Sequence, residues 1–250
     1  MYEEARLAFE NYMINYDRNN YLIALKYVHT YKVVDLMAEL AFRLNLDSEH
    51  LELAKVIGLL HDIGRFEQIR KFNVISDKAT DTDHANESCV YLFDNNHIRD
   101  FVKDDKYDSI IKKAIYNHNK LKIESGLNEE ELKYAKMIRD MDKVDIYRVF
   151  ATNYTEKFNA NEVTEEVLKN FSLHKSIDND LIKTDTDKTV TRLAFIFDIN
   201  YDESLDILVG TDNFDLYLAT VDVDSSSEKL WRKLREVCFD IINRGVNSDE

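Results

Sequence analysis

Apolar residues recur at helical spacing along most of the chain. Leu22, Leu25, Val28, Val33, Leu36, Leu40 and Leu44 mark one long helix, either continuous or broken near Thr30. Residues 51–60 are apolar on more than one face, which predicts a buried helix ending around Gly64, a residue type suited to a helix C-cap. Residues 71–83 are polar and aperiodic and predict a loop, whereas 85–93 and 110–118 read as further helices. Asn128 followed three residues later by Glu131 is the signature of an N-cap with its reciprocal partner, opening a helix through Val144 or beyond. The pattern weakens after Phe150. Residues 193–199 fit helix or strand, and the helical surroundings favour helix. Ser225 with Glu228 forms a capping box ahead of Leu230, Trp231, Leu234, Val237, Cys238, Ile241 and Ile242, a single apolar stripe along a last helix.

Composition sharpens this picture. The 250 residues contain five glycines and no proline, which argues against turn-rich strand architectures and for helices joined by Asn/Asp-rich loops. No repeat, low-complexity tract or Gly/Ser linker divides the chain. The economical reading is an all-α fold: one helical bundle over residues 1–150, with a helical C-terminal extension, 151–250, packed on it as part of the same domain. For the extension three roles stay open: covering a cleft, forming a homodimer face, or completing the core. Its aromatics, Phe195, Phe197, Tyr201, Phe214, Tyr217 and Trp231, read as core.

Charge and cysteine usage narrow the setting. The net charge of −15, from 33 Lys+Arg against 48 Asp+Glu, repels nucleic-acid backbones and excludes a broad nucleic-acid surface. A small phosphate ligand remains compatible, because bound cations invert the local potential inside a cleft. No apolar run approaches the roughly 18 residues of a membrane span, and the charged first 20 residues lack a signal-peptide core. Cys89 and Cys238 cannot make a disulfide framework and read as small core residues rather than nucleophiles. A cytoplasmic protein is expected.

The informative residues are histidines and aspartates. His29, His61, His84, His97 and His118 form the pool of candidate site residues. His61-Asp62 directly follows an apolar helix, at a depth where an unpaired carboxylate is costly. A divalent cation removes that cost, since imidazole nitrogen and carboxylate oxygen suit such ions. No short local motif supplies further ligands, so they must come from other helices, such as those carrying His29 and Asp142. His50, His97 and His174 read as ordinary polar residues.

The order of these residues resembles the HD-domain phosphohydrolase superfamily, all-helical metal-dependent hydrolases named for the His-Asp dipeptide. The resemblance rests on Leu60-His61-Asp62-Ile63-Gly64-Arg65-Phe66-Glu67-Gln68, Asp83-His84-Ala85, Ile115-Tyr116-Asn117-His118-Asn119-Lys120 and Ile138-Arg139-Asp140-Met141-Asp142-Lys143, and covers about residues 20–150. It implies that His29, His61, Asp62 and Asp142 bind a first divalent ion. It further implies that His84 and His118 bind a second, as in two-metal branches, with Asp62 as the bridge. No Gly-Tyr-Pro signature follows His118, so the branch defined by that motif is not supported.

One or two ions of Mn, Fe, Co, Ni or Zn would generate a nucleophile from water near neutral pH and clamp phosphate oxygens. Cationic side chains help spread phosphoryl charge, and Arg65, Lys120 and Lys143, just past the metal motifs, are the candidates to join Asp62 in catalysis. Asp81 and Asp83 are candidates to orient His84. Asp140 and Asp145 are candidates to orient ligands or to pair with Lys143, and read more economically as helix-surface carboxylates. The expected function is a phosphohydrolase acting on a small nucleotide-like phosphoester, as a phosphodiesterase or nucleotide phosphatase. A non-catalytic module that binds a nucleotide or a protein is the alternative.

Overall fold

The computed structural model describes residues 1–246 of the chain; 247–250, the end of the expected extension, lie outside the described residues. The fold is all-α, and the chain divides into two compact units, Met1–Asp142 and Lys143 onward. The first unit runs α1 (Tyr2–Met13), α2 (Tyr21–Arg43), α3 (Ser48–Leu60), α4 (Ile63–Phe72), a single turn α5 (Asp77–Thr80), α6 (His84–Cys89), α7 (Ile98–Phe101), α8 (Asp108–Asn117) and α9 (Glu129–Asn153), which continues into the second unit. The reciprocal cap opening α9 forms as expected: Asn128 Oδ1 accepts from Glu131 N at 2.9 Å, and Glu131 Oε2 accepts from Asn128 N at 3.0 Å.

Two helices differ from the sequence pattern in ways that position the site. α2 is unbroken through Thr30, whose hydroxyl donates back to the Lys26 carbonyl at 2.9 Å. Its buried face holds Ile23, Lys26, His29, Thr30, Val33 and Met37, while Val28 is exposed. Polar site residues replace apolar ones on that face, so counting apolar positions puts the stripe on the wrong side of the first turns. Gly64 does not end α3. It lies in the first turn of α4, where a Cβ would meet Ser88 N at 2.7 Å, so only glycine lets α4 and α6 approach this closely. Gly58 serves α3 in the same way, since a Cβ there would lie 3.2 Å from the Val34 Cα of α2. The loop after α4 is as expected apart from α5, and α6 continues as a wider π-helical turn at Val90–Asp94.

The second unit comprises β1 (Glu156–Phe158), α10 (Glu165–Ser172), α11 (Asp185–Leu193), α12 (Asp202–Gly210), α13 (Asn213–Ala219), β2 (Val221–Val223) and α14 (Glu228–Val246). β1 and β2 pair in parallel, Glu156 opposite Val221. Residues 194–198, expected to be helical, form a 3₁₀ turn after α11. α14 begins at Glu228, two residues later than a Ser225 cap would place it, and Asp224 instead accepts from Ser226 N at 2.8 Å. Trp231, Leu234, Cys238 and Ile242 are buried along α14, as the stripe predicts, and Phe214 and Tyr217 pack on Tyr147 with centroids at 5.0 and 5.6 Å. Among the described residues no helix is long and apolar enough to cross a membrane.

Candidate metal centre

Five segments of the first unit converge on one buried cluster. α2 supplies His29; the link between α3 and α4 supplies His61 and Asp62; His84 opens α6; His118 follows α8; Asp142 lies in α9. His29, His61, Asp62, His84 and His118 are all buried, and Asp142 is partly exposed. The two oxygens of Asp62 divide the cluster. Oδ2 lies 3.8 Å from His29 Nε2 and 3.5 Å from His61 Nε2. Oδ1 lies 3.4 Å from His84 Nε2 and 3.6 Å from His118 Nε2. Asp142 Oδ1 joins the first group, 3.0 Å from His29 Nε2 and 3.9 Å from His61 Nε2.

Hydrogen bonding on the far side of each ring decides what the near side offers. His61 Nδ1 sits 2.8 Å from the Gly58 carbonyl and His118 Nδ1 2.7 Å from the Ile115 carbonyl. His84 Nδ1 sits 2.6 Å from Asp77 Oδ2. A carbonyl or carboxylate oxygen only accepts, so each Nδ1 carries the proton and each neutral ring presents an Nε2 lone pair. His84 Nε2 and His118 Nε2 then face each other at 2.9 Å, lone pair to lone pair. His61 Nε2 and Asp62 Oδ1 are buried with no hydrogen-bond partner. Converging acceptors without donors are costly in a buried site. Divalent cations are the complement, and imidazole with carboxylate is a donor set that suits them. Two groups that have Asp62 in common could each hold an ion: His29, His61 and Asp62, with Asp142 beside them, and Asp62, His84 and His118.

The HD-domain family model matches residues 27–147. Those residues form an HD domain. No curated protein and no solved structure matches the chain.

Within this HD domain, electrostatics keep His61 and His84 neutral. Burial lowers the pKa of His61 and takes that of His84 down to about 3, where Arg65 adds to the effect. Burial alone would raise Asp62, but the Lys26 ammonium beside it holds its carboxyl well below the usual carboxylate range.

An acid-sensitive fold follows for chelator-treated protein. The folded pKa of His84 lies below its unfolded value of 6.5, so the unfolded chain takes up the proton first. Stability present above that value is therefore lost as pH falls toward 3, and Asp62, depressed from 3.8, adds its own loss at the acid end. Between pH 7 and pH 5 the His84 share alone is roughly 2 kcal/mol by proton linkage. That predicts a Tm lower by several degrees at pH 5, read by circular dichroism. An unchanged Tm across that interval would show that the cluster is not held neutral.

The remaining sequence candidates have other partners. Arg65 Nη1 donates to Gln68 Oε1 at 2.6 Å, the Ile75 carbonyl at 2.8 Å and Asp77 Oδ1 at 2.5 Å, with its Nε 3.9 Å from Asp62 Oδ1. The Lys120 ammonium is paired with Asp83 and lies 4.6 Å from the centroid of the Tyr116 ring. Lys143 Nζ is 2.7 Å from Asp198 Oδ2. Asp140 and Asp145, expected at the surface, are buried, and Asp145 takes two hydrogen bonds from Arg148, at 2.6 and 2.7 Å. The carboxylate on His84 is that of Asp77, whereas Asp83 caps α6 at Ala85 N. His50, His97 and His174 stay outside the cluster, at Asp47 and Glu130, Tyr91 and Phe197 respectively. Burial raises both cysteine thiols to about 12, which removes them as nucleophiles at neutral pH.

Besides Asp77, Lys26 and Arg139 escaped the sequence reading. Lys26 Nζ donates to Asp62 Oδ2 at 2.5 Å from one turn ahead of His29, and both partners are buried. Its signal was a lysine at a core-periodic position of α2. Arg139, fully buried, donates to the Asn117 and Lys120 carbonyls at 2.7 and 2.5 Å, pinning the chain on both sides of His118.

Proposed function

We propose that this HD domain is a metal-dependent phosphohydrolase that cleaves a phosphoester bond of a small nucleotide-like substrate. The observation carrying the reading is the convergence of buried acceptors on Asp62, His61 Nε2 on the side of Oδ2 and the facing His84 and His118 Nε2 atoms on the side of Oδ1, a donor set that divalent ions complement. His29, His61 and Asp142 would hold the first ion and His84 and His118 the second, with Asp62 common to both sets. Divalent ions bound there would supply an acidified water as nucleophile and positive charge against phosphate oxygens. Lys26 keeps a positive charge against Asp62, and Arg65 adds a second near its other oxygen. Lys120, 23 % exposed, lies in the turn just after His118, the cation of this set best placed to reach a phosphate entering from solvent.

The test is hydrolysis of p-nitrophenyl phosphate and bis(p-nitrophenyl) phosphate by protein loaded with Mn²⁺, Fe²⁺, Co²⁺, Ni²⁺ or Zn²⁺, with metal content measured in parallel. Turnover that is abolished by EDTA and by His61→Ala, with helicity retained, supports the reading. Fully loaded protein that hydrolyses neither of these, nor any nucleoside mono-, di- or triphosphate or cyclic nucleotide, would leave a binding module in its place.

A further inference from the structure

The three rings whose far-side partners are described above are not oriented in the same way. His61 and His118 each bond to a carbonyl three residues earlier in the chain, a bond their own helices provide. His84 is the first residue of α6, so no preceding helical turn offers it a carbonyl. Its acceptor is Asp77, from the loop between α4 and α6. That carboxylate is fixed from behind: Oδ1 accepts from Arg65 Nη1 at 2.5 Å and from Gln68 Nε2 at 3.1 Å. The same Gln68 nitrogen lies 2.9 Å from Thr80 Oγ1 and 2.8 Å from Thr82 Oγ1, tying both ends of the short α5 segment to α4.

We infer that this loop is an anionic clasp for the second ion: Asp77, held by Arg65 and Gln68, is a positioning residue that aims His84 and sets the affinity of the His84–His118 site, leaving the His29–His61–Asp142 site untouched. The inference rests on the reading of the cluster as a metal centre. A carboxylate behind a metal-binding imidazole fixes its tautomer and raises its basicity, and loss of such a partner typically weakens metal binding by about 10–100-fold. Asp77, Asp83 and His84 also lie close enough together to suggest a third ion site. Arg65 on Asp77 and Lys120 on Asp83 already balance those carboxylates, which makes them a support for His84 rather than ligands.

The experiment is a Co²⁺ titration of chelator-stripped full-length protein, following visible absorption and ions bound per chain, for wild type, Asp77→Asn, Asp77→Glu and Thr80→Val. Wild type is expected to take up two ions. Asp77→Asn should bind the first as wild type does and the second about 10–100-fold more weakly, with the absorption bands of the second step altered. Asp77→Glu should recover part of that loss. Thr80→Val, which loosens the loop but keeps the carboxylate, should stay close to wild type. Two ions at wild-type affinity in Asp77→Asn would overturn the clasp and leave the metal centre standing. Loss of both ions in that variant, with helicity intact, or an equal loss in Thr80→Val, would overturn it as well, since the effect would then not belong to the Asp77 carboxylate. Wild type that takes up no Co²⁺ would overturn the metal centre itself.

Discussion

Asp62→Asn is expected to empty the centre of both ions and to abolish turnover. The substitution keeps the shape of the side chain, so packing around it changes little. What it removes is the charge on which both clusters depend, Oδ2 facing His29 and His61 and Oδ1 facing His84 and His118. An asparagine also has to turn its amide nitrogen toward one group. Toward Lys26 it sets donor against donor. Toward His84 and His118 it satisfies their lone pairs with protons and competes with an ion there. Metal content should fall from about two ions per chain to near zero. Hydrolysis should drop at least about a thousandfold, the equivalent of losing roughly 4 kcal/mol of metal-derived stabilisation. Asp142→Asn is the companion measurement, because Asp142 stands only with His29 and His61. It should cost one ion and leave the other bound. Unchanged metal content in Asp62→Asn would mean that Asp62 is not the bridge.

Much of this centre could be read from the sequence, partly by chemistry and partly through a resemblance. A His-Asp pair directly after an apolar run is costly in a core without a cation, whereas the roles of His29, His84, His118 and Asp142 are what the resemblance to the HD-domain superfamily implies. The six candidates His29, His61, Asp62, His84, His118 and Asp142 come together in one unit of the fold. Helices with strong periodicity or an explicit cap, such as α9 from Asn128, were equally legible. What escaped depended on tertiary approach. Gly64 looks like a helix stop until α6 is seen crossing it. Asp77 sits in an aperiodic stretch, and nothing local says that it, rather than the nearer Asp81 or Asp83, meets His84. Arg65 was read as reaching for phosphate because it follows the motif, whereas folding of the loop gives it Asp77. The buried stripe of α2 was read out of phase because its inner face carries Lys26, His29 and Thr30.

Lys26 yields the second large effect. Its ammonium and the Asp62 carboxylate are both buried and 2.5 Å apart, so each is the other's counter-charge. Lys26→Met preserves the length and apolar stem but leaves Asp62 with only Arg65 as counter-charge, 3.9 Å away and already paired with Asp77. Breaking a buried pair by removing one partner typically costs about 3–5 kcal/mol. In metal-free protein, Lys26→Met should therefore lower Tm by roughly 6–20 °C at the usual conversion for a chain of this size. A divalent ion held by the same carboxylate supplies the missing positive charge. Metal should thus raise the Tm of the variant by more than it raises that of wild type, and the two proteins should converge as the ion is added. Thermal melts with and without EDTA measure all four states of this cycle. Equal metal-induced shifts in the two proteins would show that Lys26 and the ion do not share Asp62, and the lysine would then be a packing residue. Convergence would show that the cation at Asp62 is interchangeable in charge, with Lys26 supporting the folded cluster and the ion adding the Lewis acidity that a lysine cannot provide.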